Sequence, residues 1–335
     1  MKHAAIWLLA LLLTDACGGG SSTAPTAAPA PPPVQVPGAS SRASDYTLEI
    51  LNVMQINSIN RDRINWSDFR SQVVQRASGA QTIPDLFPAI SLALGLLDDH
   101  HSFYQAAGGG GLGNPRFPRC AAATPAPAAV PSDIGYVKVA GFGDATPGAD
   151  RTFADSVQQQ IRAADSATLA GWIVDVRGNT GGNMWPMVAG VGPVLGDGVA
   201  GYFVSPSGGA QDWSVRNGVA LNGTTEISRT TTAYTLARPS PRVAVLTDNL
   251  VASSGEAVVV SFRGRSNTRS FGDATCGVSS ANSGFRLSDG ATLQLTVAVL
   301  ADRNRNNYGT SIAPDEAIAG DGEVVQRAIA WLRAQ

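Results

Sequence analysis

Three short segments of the chain combine residue types that could carry out acyl transfer. The first, residues 251–256 with the sequence V-A-S-S-G-E, lies between an apolar strand pattern and an apolar helix pattern. Ser253 would be exposed at such a turn, and the free N–H groups of the helix start could stabilise a developing oxyanion. The spacing of Ser253 and Glu256 equally fits a capping box, a motif that many helices without any catalytic role share.

The second segment is a glycine turn at residues 177–183, R-G-N-T-G-G-N, directly after a buried strand pattern. Gly181 and Gly182 would let the backbone approach a ligand closely, and successive N–H groups can form an anion-binding concavity. A simple glycine-rich turn is the alternative. The spacing is that of neither a dinucleotide-binding loop nor a P-loop, so we do not predict nucleotide binding.

The third segment is D-D-H-H-S at residues 98–102. The chain has three histidines, and His3 lies in the N-terminal leader. A histidine base for a serine nucleophile must therefore be His100 or His101. A solvated helix end and a metal site are the alternatives. We expect no metal, because adjacent histidines diverge on a helix and no other His or Cys cluster completes a coordination shell.

The composition narrows the classes of function. The chain of 335 residues has 24 basic and 26 acidic side chains, a net charge of −2, and no basic run. This balance argues against nucleic acid as the main partner. Lysine occurs only as Lys2 and Lys138, so a lysine-dependent mechanism would have to use Lys138 once the N-terminus is removed. Nothing in the pattern predicts a cofactor.

The N-terminus has the features of a bacterial export signal. Residues 1–17 combine a short charged start with an apolar stretch, and residues 13–17 resemble a lipobox that ends at Cys17. The chain would then be lipidated at Cys17 and tethered to the membrane, or cut near Ala16 and periplasmic. Residues 18–44 are rich in Gly, Ser, Ala and Pro and should form a disordered linker. In an oxidising compartment Cys120 and Cys276 could form a disulfide.

The remaining chain divides into a helical and an alternating part. Apolar spacing predicts a helical subdomain over residues 45–104, with Ser67 as one N-cap, and residues 105–132 form a low-complexity loop. Residues 133–335 alternate strand and helix patterns, which predicts an α/β core around a partly parallel sheet. The predicted strands cover 134–139, 171–177 and 242–247, with further strands within 284–302, and the predicted helices cover 153–164, 184–195, 253–262 and 323–333.

Taken together, five motifs resemble the tail-specific, or C-terminal processing, serine proteases of peptidase family S41. In chain order, the matches are residues 96–103 to L-x-D-x-H-S-x-F, 171–182 to L-D-L-R-x-N-x-G-G, 246–256 to V-x-x-x-x-A-S-x-x-E, 272–277 to G-E-x-T-x-G and 311–315 to G-I-x-P-D. The first motif is similar to the branch related to the tricorn core protease and to retinoid-binding repeat proteins. The resemblance implies a crotonase/ClpP-like β-α-β core with a small N-terminal helical subdomain and no inserted PDZ domain.

The resemblance also implies roles for individual residues. Ser253 matches the nucleophile, His101 matches the histidine of D-x-H-S, and the oxyanion donors would be the backbone N–H groups of Ser254 and of Gly181 or Gly182. Many members use a lysine base, but Val278 occupies that position here. The distal glutamate of the family is not matched either. Candidates for orienting the base, close to it in sequence, are Asp99, His100 and Ser102.

We therefore expect an exported serine peptidase that hydrolyses peptide or protein substrates through a Ser–His acyl-enzyme mechanism. Two alternatives remain open: a ligand-binding protein without catalysis on the same fold, and an esterase or other acyl hydrolase that uses the same serine. The membrane would be contacted only through the N-terminal lipid. The oligomeric state, the substrate and the cleavage preference are not predicted.

Overall fold

The computed structural model describes residues 35–121, 125 and 128–334. The export signal, Cys17 and most of the predicted linker lie outside these residues. Within the described chain, no helix has the length and apolar character needed to cross a bilayer. The helices are α1 (Ser41–Asn57), α2 (Trp66–Ala77), α3 (Phe87–Leu96), α4 (Ala149–Ala164), α5 (Met184–Gly190), α6 (Gly192–Leu195), α7 (Ser254–Phe262) and α8 (Asp321–Arg333).

The strands form two sheets. They are β1 (Phe103–Gln105), β2 (Gly111–Leu112), β3 (Ile134–Lys138), β4 (Gly171–Asp175), β5 (Gly198–Val204), β6 (Ala210–Arg216), β7 (Val219–Asn222), β8 (Thr225–Arg229), β9 (Val243–Thr247), β10 (Thr268–Gly272), β11 (Ser280–Arg286), β12 (Thr292–Asp302) and β13 (Glu316–Ala317). The α/β architecture predicted from the sequence is confirmed.

The N-terminal region is helical, as predicted. Helices α1, α2 and α3 pack around a core that includes Tyr46, Leu51 and Leu94, all almost inaccessible to solvent. Helix α1 begins at Ser41, inside the segment predicted as a linker, with Ser40 as its N-cap. The prediction of Ser67 as an N-cap is wrong: α2 begins at Trp66, and the Asn65 side chain caps it by accepting a hydrogen bond from the Asp68 N–H.

A parallel five-stranded sheet in the order β13-β10-β9-β4-β3 forms the centre of the α/β core. Every residue of β4 and β9 is buried, which explains why both sequences are apolar up to their last residues, Asp175 and Thr247, because helices cover both faces of such a sheet. Helices α4, α5 and α7 contribute to the core on one face, and α8 packs its apolar side on the other. The C-terminal end of β9 leads to α7, so this sheet positions the turn that carries Ser253.

A second, antiparallel sheet runs in the order β2-β1-β12-β5-β6-β7-β8, with β11 paired to β12 as well. Strands β5 to β8 were not predicted, because buried and exposed residues do not alternate regularly along β5, β6 and β8. Buried Trp213 of β6 donates its indole N–H to the Ser261 hydroxyl of α7 at 3.0 Å. This contact joins the second sheet to the helix that follows Ser253.

Strand β1 lies mostly at the end of the part predicted as helical, and the predicted low-complexity loop begins with its last residue. The loop then contains β2, paired to β1, and an extended segment with one turn, residues 113–121. Asn114 holds this segment to the end of α3 through hydrogen bonds to the Leu94 carbonyl and the Asp99 carboxylate. At the other end, Cys120 forms a disulfide with Cys276, with the two Cα atoms 5.2 Å apart. The pairing that the sequence left open is thus present in the structure.

Candidate active site

Ser253 lies at the turn between β9 and α7, immediately before the first residue of the helix. Its φ angle is +52°, a conformation that non-glycine residues rarely adopt. The two preceding residues, Val251 and Ala252, are buried, and the Ala252 N–H donates to the Asn179 carbonyl at 3.0 Å. The surrounding packing therefore holds Ser253 in a strained conformation, as is often seen for residues at active sites.

Glu256, in the first turn of α7, fixes the backbone of Ser253. Its buried carboxylate accepts hydrogen bonds from the Ser253 N–H at 2.9 Å, the Thr275 hydroxyl at 2.6 Å, and the N–H groups of Gly277 and Val278, both at 3.0 Å. Desolvation raises the pKa of Glu256 to about 7, because burial disfavours the charged carboxylate. The four hydrogen bonds favour the charged form and offset this effect only in part. The loop after β10 and the Ser253 turn are therefore joined through one carboxylate.

The glycine turn after β4 lies against the start of α7. The Ser254 hydroxyl donates to the Gly182 carbonyl at 2.6 Å, and a Cβ on Gly181 would come within 2.9 Å of the Ser253 Cβ. The Gly181 N–H donates to the Asn179 side-chain oxygen at 2.9 Å. Over the described chain, the N–H groups of Gly182 and Ser254 have no hydrogen-bond acceptor, so these two donors are available to an oxyanion.

His101 comes from the segment between α3 and β1, and its ring is buried. Its Nδ1 is 2.9 Å from the Ser280 hydroxyl, and its carbonyl accepts a hydrogen bond from the Asn282 side chain at 3.0 Å. Burial lowers the pKa of His101 to about 4, so the imidazole is neutral near pH 7. In the tautomer whose Nδ1–H donates to the Ser280 hydroxyl, Nε2 is the nitrogen that can accept a proton.

Ser280, the residue that contacts the His101 ring, was missed by sequence reasoning. It follows the G-E-x-T-x-G match by three residues, but it lies 179 residues from His101 in the chain. No local pattern distinguishes it from the neighbouring Ser279, so only the three-dimensional pairing of β11 with the rest of the sheet could identify it.

The three orienting candidates surround the backbone of His101 rather than its ring. The half-buried Asp99 carboxylate accepts hydrogen bonds from the N–H groups of His101 and Ser102, at 3.0 and 2.9 Å, and from the Ser102 hydroxyl at 2.5 Å. Ser102 in turn accepts from the Thr296 N–H of β12 at 2.9 Å. The His100 side chain is half exposed, and its Nε2 lies 3.5 Å from the Asp98 carboxylate.

Lys138 is occupied elsewhere. Its ammonium donates to the Arg177 carbonyl at 2.5 Å and lies 3.3 Å from Asp175, whose buried carboxylate also pairs with the Arg177 guanidinium at 2.7 Å. The pKa of Asp175 is lowered, because these cations and the Tyr136 hydroxyl outweigh its burial. Lys138 does not line the cavity that Ser253 faces.

One cavity of about 1060 Å³ brings the candidate groups together. Its walls include Ser253, Ser254, Gly182, His101 and Ser280, although no hydrogen bond joins the His101 ring to Ser253. The chain between β1 and Cys120 also contributes to its walls. Among the described residues, no group of three or more His, Cys, Asp or Glu side chains is arranged to hold a metal ion.

A curated protein is similar to this chain in amino-acid sequence over part of its length. A nisin-resistance protein from Lactococcus lactis subsp. lactis is 37% identical over 168 residues, which cover 49% of this chain and 50% of the relative. The chain thus matches about half the length of this curated relative.

Solved structures share the fold. A lipoprotein from Streptococcus agalactiae has a TM-score of 0.68 at 21% identity, covering 87% of this chain and 96% of that one. The photosystem II D1 C-terminal processing protease has a TM-score of 0.55 at 16% identity, covering 86% and 97%. A sequence profile of peptidase family S41 matches residues 133–318, more than half of the chain and the whole stretch that carries the Ser253 turn and the glycine turn. The chain belongs to peptidase family S41.

Proposed function

We propose that this S41 member is an exported serine peptidase, with Ser253 as nucleophile and His101 as general base. The observation that supports this most is the shared cavity, where Ser253, the neutral His101 ring and the free N–H groups of Gly182 and Ser254 line one space. None of the described residues lining that space is a lysine, so the base is the histidine.

In the proposed reaction the Ser253 Oγ attacks the peptide carbonyl carbon while His101 Nε2 takes the hydroxyl proton. The carbonyl π electrons move onto oxygen, and the N–H groups of Gly182 and Ser254 stabilise that oxyanion. The C–N bond then breaks, the amine leaves with the proton from His101, and a water molecule, deprotonated by the same histidine, hydrolyses the acyl-enzyme. Ser280 holds the ring through Nδ1 and acts as a positioning residue.

Export is part of this proposal. The N-terminal 17 residues have the pattern of a bacterial signal with a lipobox cysteine, and one similar fold belongs to a protein described as a lipoprotein. The Cys120–Cys276 disulfide is of the kind that forms and persists in oxidising compartments. Because the curated relative is a nisin-resistance protein, nisin is one substrate to include beside unrelated peptides and esters.

The test is labelling with a fluorophosphonate probe, followed by peptide hydrolysis. Wild type and Ser207→Ala, which alters an exposed serine outside the cavity lining, should be labelled, and Ser253→Ala should not. His101→Ala should lose at least as much turnover as His100→Ala, and Lys138→Arg should keep activity. A folded wild-type protein that takes no label would favour a ligand-binding role, and turnover of esters alone would replace the peptidase by an acyl hydrolase.

A further inference from the structure

The walls of the active-site cavity contain almost no charge. None of the described residues that line it is Asp, Glu, Lys or Arg, and the ring of His101 is neutral near pH 7 because its pKa is about 4. Aromatic side chains contribute much of the wall, among them Phe103, Trp185 and Phe203. Phe117, 45% exposed on the extended segment before Cys120, also lines the cavity.

Neutral amides and hydroxyls supply the other polar side chains of the wall. Asn183, which follows Gly182, uses its side-chain oxygen to cap α5. Asn222 has a buried side-chain oxygen without a hydrogen-bond partner in the described part of the molecule. Such amides can hydrogen-bond a peptide backbone without attracting either sign of charge. Gln211 and Asn222 also border an adjoining pocket of about 590 Å³, and Asp212 and Arg216 lie in the lining of that second pocket.

The physical consequence is a penalty for charged substrates. A charged side chain that leaves water for a wall without counter-charges loses solvation that neutral amides and aromatic rings replace only in part. Apolar side chains gain by the same transfer. A wall that carried one sign of charge would instead favour substrates of the opposite sign.

We propose that the cavity selects peptide segments whose side chains are uncharged at the positions flanking the scissile bond, with rejection of both signs of charge. This inference rests on the proposed function, because it names the substrate class of the same site. Apolar contacts supply the binding free energy and the amides align the backbone. Charged side chains further along the substrate, where they would lie near Asp212 and Arg216, are not selected against.

The test uses fluorogenic peptides that differ at one position by near-isosteric pairs, Gln against Glu and citrulline against Arg. At the positions next to the cleaved bond, the neutral member of both pairs should have a kcat/KM at least about tenfold higher, as expected for a charge that is buried without a partner. Equal rates within a pair, or discrimination against one sign only, would overturn the inference. If no peptide is hydrolysed, the proposed function fails, and binding of the same peptides to the protein by fluorescence anisotropy then decides the selectivity by itself.

The second arm of the test introduces a charged side chain into the cavity wall. Asn183→Asp keeps the oxygen that caps α5 and adds one negative charge beside Gly182. The ratio of kcat/KM for the Arg peptide over the citrulline peptide should rise severalfold in this variant. The matched control is Asn52→Asp, an equal change on the exposed face of α1 beside Arg70, which should leave that ratio as in wild type. An unchanged ratio in Asn183→Asp would count against selection by the wall.

Discussion

Burial lowers the proton affinity of His101, and the contact of its ring with Ser280 positions it. A base with a lowered pKa is less basic than free histidine, but it remains deprotonated over a wider range of pH. Ser280 holds the ring through Nδ1, so one hydroxyl on β11 sets the direction of Nε2, and the tautomer that serves as a base is the one in which Nδ1–H donates to this hydroxyl. A hydroxyl in this place orients the base without adding the negative charge that a carboxylate would bring.

The pH dependence of kcat/KM should therefore have an acid limb well below the usual histidine range. Because the pKa of His101 is lowered to about 4, the neutral base persists at pH 5 and is lost as the pH falls through about 4. The unfolded chain takes up this proton near pH 6.5, so stability also decreases as the pH falls from 6.5 towards 4. Circular dichroism at each pH separates the two effects. A complete loss of activity with a midpoint near about 6.5, the ordinary histidine value, for a folded enzyme would contradict the burial of the ring.

Glu256 should add a second, partial step at higher pH. Four donors point at its carboxylate, and a proton on it would remove an acceptor from one of them. Since its pKa is raised to about 7, activity should fall partly as the pH drops through that value.

Glu256→Gln should lack this upper step and have low activity at every pH, because its amide group faces N–H donors. The loss of two buried hydrogen bonds would cost about 2–5 kcal/mol of stability. The comparison is a pH–rate profile of both proteins, with urea unfolding as the stability measure. Wild-type turnover in Glu256→Gln would show that the carboxylate has no positioning role.

At the scale of elements, the loop between β10 and β11 connects two functions. Thr275, Gly277 and Val278 bind Glu256, and Cys276 between them anchors the extended segment that lines the cavity. The Cys276 N–H also donates to the Val251 carbonyl in the nucleophile turn, at 2.8 Å. One loop therefore holds both the backbone of the nucleophile and part of the cavity wall.

Loss of the disulfide should loosen both the backbone around Ser253 and the cavity wall. A crosslink that closes a loop of this length, between residues 156 apart, typically contributes about 2–4 kcal/mol. Reduction of the wild type should lower its free energy of unfolding in urea by that amount and reduce kcat/KM for peptides. Cys120→Ser should show the same loss without reductant and no further response to it. Wild-type activity and stability that are indifferent to reductant would refute this role.

The sequence predicts best those strands and helices that are buried either along their whole length or on one face. Strands β4 and β9 are buried along their whole length and are apolar except for a polar last residue, and the amphipathic pattern of α8 marks its single buried face. Strands β5 to β8 pair with one another in the second sheet. Whether each segment becomes a strand depends on its pairing with a neighbouring strand more than on its own composition. The Ser253 turn and the glycine turn could be located because each follows a buried strand, whereas Ser280 could not, because its role depends on a contact across the fold.

At the scale of the whole molecule, the two proposed catalytic side chains belong to different hydrophobic cores. His101 follows α3, whose Leu94 packs in the core of the N-terminal helices, while Ser253 precedes α7 in the core of the parallel sheet. Strand β12 spans both, with Leu293 in the first core and Leu300 in the second. The relative position of base and nucleophile thus depends on the packing of the helices against the hairpin of β11 and β12.

Weakening the helical core should consequently disable catalysis before the parallel sheet loosens. Leu94→Ala removes a fully buried side chain, at a cost of about 2–5 kcal/mol. Hydrogen exchange should accelerate in α1 to α3, and activity should be lost at a lower temperature than in wild type, while β4 and β9 stay protected. The matched change in the other core is Val258→Ala in α7. In Val258→Ala, hydrogen exchange should accelerate around the parallel sheet instead. Identical exchange patterns for the two variants would mean that the two cores unfold as one cooperative unit.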